Sequence, residues 1–562
     1  MTDVLVVNGT VVDGSGAPAI TADVRVRNGI IVEVGPGLVA DGERAVDAAG
    51  CFVAPGIIDT HTHLDGAMWW NPELDPLPSY GNTSAVFGNC GNSIAPLAVG
   101  AQRDEIVDLL CFLEDLPLEA FQRLVPWTWE TWPEYAAALR TQPTTVHLGG
   151  YLGHLALRTY VMGEHAWTRA ATRGEIERMC AVLDEGLAAG ALGLSVNCFD
   201  RDRTLRMVPG FFATDEEFLG LFEIVACHHP ATVQMITRFN DPEGSLADGR
   251  RFGDLVRRAG IRAQWTGVPY NVRDDDRRPA LWQLHEQLQS EGSDFWPVVA
   301  FKPLAPFFGF ERSIVFQRVP AWNEVLNGPA DDKLATLADP AWRERARTDW
   351  DRRTRSSLSR LDRPHEMILS LSETGVGPLG ISLAEHAERT GLHISDALAE
   401  WVLANGIGSL IVGTPERLNE AAVVRALRQP RTLANINDSG AHLQLFAAAG
   451  EHIYLLTHYV RDAGLITIEE GVHALTGRTA EFFGLHDRGT IAVGKAGDLC
   501  VFALDELVLG EEERRWDVPF GTWRFTRGPA GFRATIAAGV PTWLDGAPTG
   551  ARPGQVLRPT SR

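Results

Sequence analysis

The chain has 562 residues, of which 45% are hydrophobic, and it carries 51 Lys and Arg against 72 Asp and Glu for a net charge of −21. The apolar fraction is sufficient for a packed core and excludes a wholly disordered chain. The acidic balance argues against binding to nucleic acid or to anionic lipid, and no run approaches the about 18 apolar residues of a membrane span.

Both ends of the chain carry short strand signals. In the first fifty residues, Val- and Ile-rich runs are followed by Asn8-Gly9 and Asn28-Gly29, and an Asn-Gly pair between strand-like runs favours a hairpin. The same texture returns near the end, in Gly489–Gly494, Asp498–Phe502 and Arg533–Ala537. Short strands are therefore predicted at both ends.

Between these ends, strand-like apolar runs alternate with longer segments whose apolar residues recur at helical spacing. The helical segments include Glu175–Ala189, Asp215–Cys227, Ala280–Gln289 and Ile394–Leu403. The strand-like runs lie near Phe52–Thr60, Thr83–Cys90, Thr144–Tyr151, Leu192–Asn197, Thr232–Thr237, Arg262–Gly267, Trp296–Phe301 and Thr432–Asn437. This α/β alternation predicts a parallel sheet, and eight units are the number that a TIM-like (β/α)8 barrel needs. A doubly wound open sheet is the alternative.

Two long segments break the even spacing of these units. A Trp- and Pro-rich insert near 104–139 follows the second run, and another near 305–375 lies between the seventh and the eighth. Insertions at the carboxyl ends of barrel strands usually shape the mouth of the active site. We therefore expect both inserts to border a site.

The strongest local motif is Pro55-Gly-Ile-Ile-Asp-Thr-His-Thr-His63, at the end of the first run. On a strand, His61 and His63 point to the same face. Paired imidazoles at the carboxyl end of a strand suit a divalent metal such as Zn²⁺. Two structural histidines are the alternative, but the apolar run and the hairpin region before the pair favour metal binding.

An acid ends the eighth run, in Leu433-Ala-Asn-Ile-Asn-Asp-Ser-Gly-Ala-His442. In a barrel, Asp438 would face the same mouth as His61 and His63, where a carboxylate can ligate the metal and accept a proton from an activated water. The alternative is a helix cap, because Asp-Ser-Gly is also a helix-start signal. His442 is more often a packing or substrate-binding residue than a ligand.

The seven cysteines are scattered along the chain, an odd number that argues against a disulfide framework and favours a reducing, cytoplasmic location. Cys90 closes the second run in a Gly-rich turn and can offer a thiolate to the same metal. A buried free cysteine is the alternative. Cys198 is a weaker candidate of the same kind.

These motifs resemble the amidohydrolase superfamily, and within it the D-aminoacylase (N-acyl-D-amino-acid deacylase) branch. The matching segments lie in order at 53–65, 88–91, 153–158, 189–195, 437–442 and 487–502. The resemblance implies a distorted TIM barrel over residues 55–485 and a small β-sandwich domain formed from residues 1–54 and 486–562. It also implies that a metal-activated water hydrolyses an amide-like bond.

The resemblance assigns roles to four residues. His61, His63 and Asp438 match the metal and base positions, and Cys90 matches the branch's cysteine ligand. The sequence departs from the branch where histidine ligands follow the fifth and sixth strands, because Gln234 and Gln264 stand in the corresponding runs. Neutral amides are poor Zn²⁺ ligands, so we expect one ion rather than a pair.

Two further departures concern lysines. The fourth run has Leu194 and Ser195 and so offers no lysine to bridge two ions, and Lys302-Pro303 stands where the branch has Tyr-Pro after the seventh strand. The branch's usual transition-state donor is therefore replaced, with Lys302 as the candidate replacement. A substrate other than the branch's N-acyl-D-amino acid stays open, because the residues that read it are altered. The residues considered for substrate binding are His154, Arg158, Gln234, Arg238, Lys302 and His442. Surface or loop-anchoring roles are the alternative for the cationic ones.

The leading hypothesis is a hydrolase of a non-peptide C–N bond in a small molecule, with one Zn²⁺ or another divalent ion and Asp438 as the base. A lyase or C–C bond-cleaving enzyme on the same scaffold is the second hypothesis, since a fold does not fix a function. A non-catalytic descendant is the third. The sequence leaves the oligomeric state open, with a homo-oligomer among the options.

Overall fold

The computed structural model describes residues 3–238, 241–269, 278–328, 332–353, 360–434 and 436–560. Its strands are β1 (Val4–Val11), β2 (Ile20–Arg27), β3 (Ile30–Gly35), β4 (Arg44–Asp47), β5 (Phe52–Pro55), β6 (Ile57–Asp59), β7 (Asn82–Phe87), β8 (His147–Gly153), β9 (Gly193–Val196), β10 (Thr232–Ile236), β11 (Arg262–Pro269), β12 (Asp294–Ala300), β13 (Phe307–Phe308), β14 (Met367–Leu371), β15 (Leu410–Gly413), β16 (Leu499–Phe502), β17 (Glu513–Val518), β18 (Thr522–Thr526), β19 (Phe532–Ala537), β20 (Val540–Leu544) and β21 (Ala547–Pro548).

The helices are α1 (Ala101–Leu113), α2 (Leu118–Leu124), α3 (Trp132–Thr141), α4 (His154–Met162), α5 (Arg173–Ala188), α6 (Asp215–Cys227), α7 (Pro242–Ala259), α8 (Arg278–Ser290), α9 (Pro320–Asn327), α10 (Lys333–Ala338), α11 (Pro340–Arg352), α12 (Leu383–Thr390), α13 (Ile394–Asn405), α14 (Glu420–Leu427), α15 (Glu451–Tyr454), α16 (Ile468–Leu475) and α17 (Gly477–Phe482). The segments predicted to be helical are present as α5, α6, α8 and α13. In the described ranges, no helix combines the length and the apolar character needed to cross a bilayer.

A seven-stranded parallel sheet, in the order β6-β7-β8-β9-β10-β11-β12, forms the centre of the molecule. Its strands are buried along nearly their whole length, as expected for a parallel sheet that is covered on both faces. Between most of these strands the chain runs through helices, including α4 to α8. The sheet is curled and fits a TIM-like barrel.

The two edges of this sheet are joined by residues 433–439. Val298 of β12 forms a parallel bridge with Leu433, and Thr62, just beyond β6, forms one with Ser439. The eighth run was predicted as a strand, but its described residues belong to no strand. Leu433 pairs with one edge of the sheet, and Ser439, just beyond the run, pairs with the segment that follows the other edge. Asn435, within the run, lies outside the described residues.

The first predicted run, Phe52–Thr60, forms two strands in different sheets. β5 pairs with β1 and β16, whereas β6 pairs with β7 of the barrel. Gly56 separates the two strands, and a Cβ atom there would lie 2.1 Å from Thr83 Oγ1. The close approach of the Thr83 side chain therefore requires glycine where the chain passes from one sheet into the other.

Both ends of the chain contribute to one nine-stranded sheet. Its order is β21-β20-β19-β16-β5-β1-β2-β3, with β4 paired to β1. Apolar side chains from both ends, including Val4, Val24, Val501 and Ile536, form a separate core under this sheet. The predicted sandwich layering and the boundaries 1–54, 55–485 and 486–562 stay predictions.

The long segment between β12 and α14 forms a lobe that we call the insert lobe, residues 307–413. It contains the three-stranded sheet β13-β15-β14 and helices α9 to α13. Its own apolar core is rich in tryptophan and includes Trp322, Trp342, Trp350 and Trp401. The first insert, by contrast, carries α1 to α3 and packs into the main core of the barrel through Leu110.

Candidate metal centre

The two imidazoles that follow β6 lie at the carboxyl end of the barrel beside the acid that ends the eighth run. His61 Nε2 is 3.2 Å from Asp438 Oδ1 and 3.3 Å from Cys90 Sγ. His63 Nε2 is 3.8 Å from the same Asp438 oxygen. One ligand atom each from His61, His63 and Cys90 lie within 4.8 Å of one another. The structure therefore brings all four of these residues together.

Backbone pairing across the barrel closure sets the position of Asp438. Its N–H donates to the His61 carbonyl at 3.1 Å, and the His63 N–H donates to the Ser439 carbonyl at 2.9 Å. The buried Asp59 carboxylate reinforces this closure by accepting hydrogen bonds from the His61 N–H, Asn437 Nδ2 and Ser439 Oγ. Burial raises the pKa of Asp59 to about 7.

Cys90 reaches the centre from a tight turn after β7. Its φ is +56°, a left-handed conformation that non-glycine residues adopt rarely. The Ser195 hydroxyl holds the turn by donating to the Gly88 carbonyl and accepting from the Gly91 N–H. The Cys90 N–H donates to Gln234 Oε1 at 2.9 Å. Two strands of the barrel thus fix the position of the thiol.

Gln234 and Gln264 lie on neighbouring strands and place two neutral side chains next to the centre, each hydrogen-bonded to other residues. Both side chains are fully buried. Gln234 Nε2 donates to Thr266 Oγ1 at 2.8 Å, in addition to the contact of its oxygen with the Cys90 N–H. Gln264 Nε2 donates to the Tyr151 hydroxyl at 3.3 Å. Gln234, a predicted substrate-binding residue, is therefore engaged in holding the Cys90 turn.

Burial dominates the electrostatics of the candidate ligands. It lowers the pKa of His61 and holds the pKa of His63 well below its usual range, so both imidazoles are in the neutral form that binds metals. Burial also raises the pKa of the Cys90 thiol, and the nearby carboxylates of Glu114 and Asp438 raise it further. A coordinated cation reverses this effect, because it deprotonates a thiol ligand.

Glu114, which was not singled out from the sequence, lies at the same centre. It directly follows α1 in the first insert, and its Oε2 is 3.4 Å from His63 Nε2 and 3.8 Å from His442 Nε2. Its other oxygen accepts a hydrogen bond from Asn92 Nδ2 at 2.9 Å. The only sequence signal was an acid at the end of an apolar helix within an insert expected to border the site.

A cavity of about 290 Å³ opens above these residues, and we call it the mouth cavity. Its polar lining includes His61, Cys90, Glu114, Asp200, Lys302, Arg318, Asp438, His442 and Glu451. Its apolar lining includes Phe199, Ile236, Leu304, Ile314, Val315, Leu418 and Phe446. The insert lobe contributes Ile314 and Val315 to this wall.

The predicted substrate-binding residues divide into two groups. Lys302 and His442 line the mouth cavity. Burial lowers the pKa of Lys302 and, despite that nearby ammonium group, raises the pKa of Glu451 to about 8. Lys302 and Glu451 thus place a basic and an acidic group on the same wall of the cavity.

The other cationic candidates lie in ion pairs outside the described lining of the cavity. His154 Nε2 and Arg158 Nε each lie 2.8 Å from Glu217 Oε1, and all three side chains are fully buried. Arg238 forms a two-pronged contact with Asp248. These contacts match the anchoring alternative considered for these residues.

A TIM-like barrel that gathers two imidazoles, a thiol and a carboxylate at its carboxyl end defines the class of hydrolases built on the amidohydrolase barrel. The chain belongs to the amidohydrolase family, because the model of that family matches residues 44–307 and 398–547. The unmatched stretch between these ranges falls within the insert lobe. The protein is a hydrolase acting on C–N bonds other than peptide bonds.

Known proteins of similar length align with nearly the whole chain. An uncharacterized protein of Mycobacterium tuberculosis is 30% identical and aligns over 91% of this chain and 86% of its own length. The N-acyl-D-aspartate deacylase of Alcaligenes xylosoxydans xylosoxydans is 28% identical over 99% of this chain and 95% of its own. The N-acyl-D-glutamate deacylase of Bordetella bronchiseptica, solved with zinc and a phosphonate inhibitor, superposes with a TM-score of 0.69 at 24% identity over 99% of each chain.

Proposed function

We propose that this chain is a metal-dependent deacylase of N-acyl-D-amino acids that uses one divalent ion, with Zn²⁺ as the first candidate, and Asp438 as its base. The observation that carries the proposal is the position of the Asp438 carboxylate. It lies within 4 Å of both His61 Nε2 and His63 Nε2, while 26% of its side chain stays exposed at the mouth cavity. The Asp438 carboxylate can therefore lie next to the candidate ligands and, at the same time, contact a substrate in the mouth cavity.

The residues present fit such an ion, which His61, His63 and Cys90 would hold. Zn²⁺ takes nitrogen and sulfur ligands at about 2.0–2.3 Å, so two ligands of one tetrahedral ion lie about 3.3–3.7 Å apart. The 3.3 Å between His61 Nε2 and Cys90 Sγ agrees with this spacing. Among the described residues, His61 Nδ1 and both ring nitrogens of His63 have no hydrogen-bond partner. When bound, the ion polarises a carbonyl group and acidifies a water molecule.

Asp438 is placed to move a proton between water and the substrate. Its carboxylate accepts the proton of the attacking water and returns it to the amide nitrogen as the C–N bond breaks. The backbone hydrogen bond to His61 holds it in place, so little reorganisation is needed during the reaction. The apolar wall of the mouth cavity excludes bulk water and strengthens these electrostatic interactions.

Lys302 and His442 are the proposed substrate-binding residues. The Lys302 ammonium group lines the mouth cavity and suits the carboxylate of an acylated amino acid. His442 lies beside Glu114 at the same wall and can donate a hydrogen bond to the substrate's oxyanion. A cavity of about 290 Å³ suits a small amide. The alignment of the N-acyl-D-aspartate deacylase over nearly the whole chain favours a D-configured substrate with a free carboxylate.

The first test is a screen of N-acetyl-D-amino acids with Zn²⁺-loaded protein, using the L-enantiomers as controls. We expect D-selective release of the free amino acid. In ¹⁸O-water, one labelled oxygen atom should enter the acetate, since hydrolysis takes its oxygen from water. Metal-loaded protein that releases no amino acid from any member of the panel would contradict the proposal.

Asp438→Asn tests the role of the base. The amide cannot accept the proton of the attacking water, so we expect kcat to fall by about 10²–10⁴-fold, with the metal content retained. Asp200→Asn is the matched variant, because it removes another carboxylate of the mouth cavity, and it should lose far less kcat. Equal losses in both variants would assign the effect of Asp438 to general charge rather than to proton transfer.

A further inference from the structure

Glu114 approaches the candidate metal centre from the first insert, an element that carries none of the other candidate ligands. Its Oε2 faces His63 Nε2 at 3.4 Å, and only 7% of its side chain is exposed. The hydrogen bond from Asn92 Nδ2 to its other oxygen fixes the orientation of the carboxylate. The carboxylate is therefore held with one oxygen directed to the centre.

Glu114 lies among other negatively charged groups, and a bound cation would balance their charge. Its carboxylate lies near those of Asp438 and Asp200 and near the Cys90 thiol. In the described parts of the chain, the basic groups within ion-pair distance of Glu114 are the imidazoles of His63 and His442. Both ring nitrogens of the buried His63 also lack a hydrogen-bond partner there. Buried acids without a countercharge are costly, and a divalent ion would offset this cost while using the free His63 nitrogen.

Gln234 on β10 and Gln264 on β11 stand where the resemblance places two histidine ligands, so these strands supply no imidazole to the ion at those positions. The oxygen of Gln234 is occupied by the Cys90 N–H, and the amide group of Gln264 is hydrogen-bonded to the Tyr151 hydroxyl. Neutral amides are weak ligands beside imidazole and thiolate. With Asp438 assigned as the base, a further strong donor would have to come from another element.

We propose that Glu114 is a ligand of the metal ion and, with His61, His63 and Cys90, completes the donor set that Gln234 and Gln264 leave incomplete. A carboxylate oxygen is a suitable ligand for Zn²⁺ next to imidazole and thiolate. Asp438 then remains available as the base. The inference rests on the proposed function in requiring an ion at this centre, but it does not depend on the substrate.

The test measures metal binding rather than activity. Metal-free wild type, Glu114→Gln and Asp200→Asn are titrated with Zn²⁺ in competition with a chromophoric chelator. Glu114→Gln keeps the size of the side chain and an oxygen that can accept from Asn92, but it removes the charged donor. We expect its Zn²⁺ affinity to fall by about 10–100-fold or more. Replacing a residue that only hydrogen-bonds to a metal ligand already causes a loss in this range. Asp200→Asn, which removes a nearby carboxylate without removing a proposed ligand, should bind nearly as wild type does.

Cobalt spectra and a second variant complete the test. Co²⁺-loaded Glu114→Gln should show a changed visible absorption spectrum, because the number or type of ligands changes, whereas Asp200→Asn should keep the wild-type spectrum. Glu114→Asp, which keeps the carboxylate, should bind more tightly than Glu114→Gln, and circular dichroism checks that each variant is folded. Wild-type affinity and spectrum in both Glu114 variants would overturn the inference. Metal-loaded wild type that hydrolyses no N-acyl amino acid, while its affinity still depends on Glu114, would overturn only the proposed function.

Discussion

Several residues at the mouth of the barrel, among them Cys90, Asp438 and His442, adopt a backbone conformation that L-residues rarely take. Cys90, Asp438 and His442 have φ values of +56°, +51° and +53°. Each such residue costs of order 1–3 kcal/mol and persists only where its surroundings hold it. Here each donates its backbone N–H to another element of the site. The cost is thus offset by hydrogen bonds that also aim the side chains at the centre.

The sequence predicted the residues of the site whose position follows from strand geometry. His61 and His63 alternate on one strand end, and Asp438 ends a run that a barrel brings beside them. Glu114 was not predicted, because nothing in its local sequence distinguishes it from an acid at an ordinary helix end. Only the packing of α1 against the barrel brings it to His63.

The buried Asp65 predicts a dependence of stability on pH in the metal-free protein. Burial raises its pKa to about 7, only partly offset by hydrogen bonds such as that from the Gly88 N–H. Its folded pKa lies above its unfolded value of about 3.9. The protonated Asp65 carboxyl group therefore makes its full contribution to stability below about pH 3.9. This contribution is lost as the pH rises through the folded pKa of about 7, with a slope of at most about 1.4 kcal/mol per pH unit.

Asp65→Asn should therefore gain stability relative to wild type between pH 5 and pH 8, since the asparagine never ionises. Urea unfolding of both metal-free proteins at the two pH values measures this difference. Asp75→Asn, at a partly exposed aspartate, serves as the control and should show no comparable gain. The absence of any relative shift for Asp65→Asn would contradict a raised pKa at this position.

At the scale of elements, periodicity predicted helices better than it predicted the ends of the barrel sheet. Helix α6 spans the predicted Asp215–Cys227. Residues 52–60 were predicted as one strand because the segment remains apolar across Gly56. The chain changes sheets at that glycine, so the segment forms two strands. The eighth run has the composition of a strand, yet its described residues belong to no strand and Leu433 forms only a bridge. These departures depend on contacts between distant segments, which local patterns do not contain.

The buried ion pairs between α4 and α6 predict a large loss of stability on substitution. Glu217 on α6 binds both His154 and Arg158 on α4. Glu217→Gln leaves the Arg158 charge buried without a carboxylate, which should cost about 3–5 kcal/mol. Arg173→Ala removes an exposed pair with Glu177 on α5 and should cost at most about 1 kcal/mol. Thermal or urea unfolding measures both losses, and similar small values would contradict a structural role for the Glu217 contacts.

At the scale of the whole molecule, the insert lobe stands largely outside the part of the chain that matches the family model. It has its own tryptophan-rich core and falls largely between the two stretches that match the family model. It nevertheless supplies Ile314 and Val315 to the mouth cavity. The candidate metal ligands His61, His63 and Cys90 thus follow barrel strands, while part of the cavity wall above them comes from this lobe.

Metal removal tests the centre at the level of the whole fold. The proposed ligands come from three separate segments of the chain, so an ion bound by them should stabilise only the folded state. At a free ion concentration of 1,000 times Kd, the gain is about 4 kcal/mol. We expect one equivalent of metal per chain after dialysis and a lower Tm after chelation. Two equivalents would contradict the single-ion centre, and an unchanged Tm would contradict its link to folding.

The closure of the barrel by residues 433–439 has a consequence for synthesis of the protein. Asp438, the proposed general base, lies on the segment that closes the barrel, whereas His61 and His63 follow its first strand. A ribosome must therefore make more than three-quarters of the polypeptide before His61 can meet Asp438. With Asp438 as the proposed base, nascent chains that end before this residue are expected to be inactive, and activity would then report that the barrel has closed.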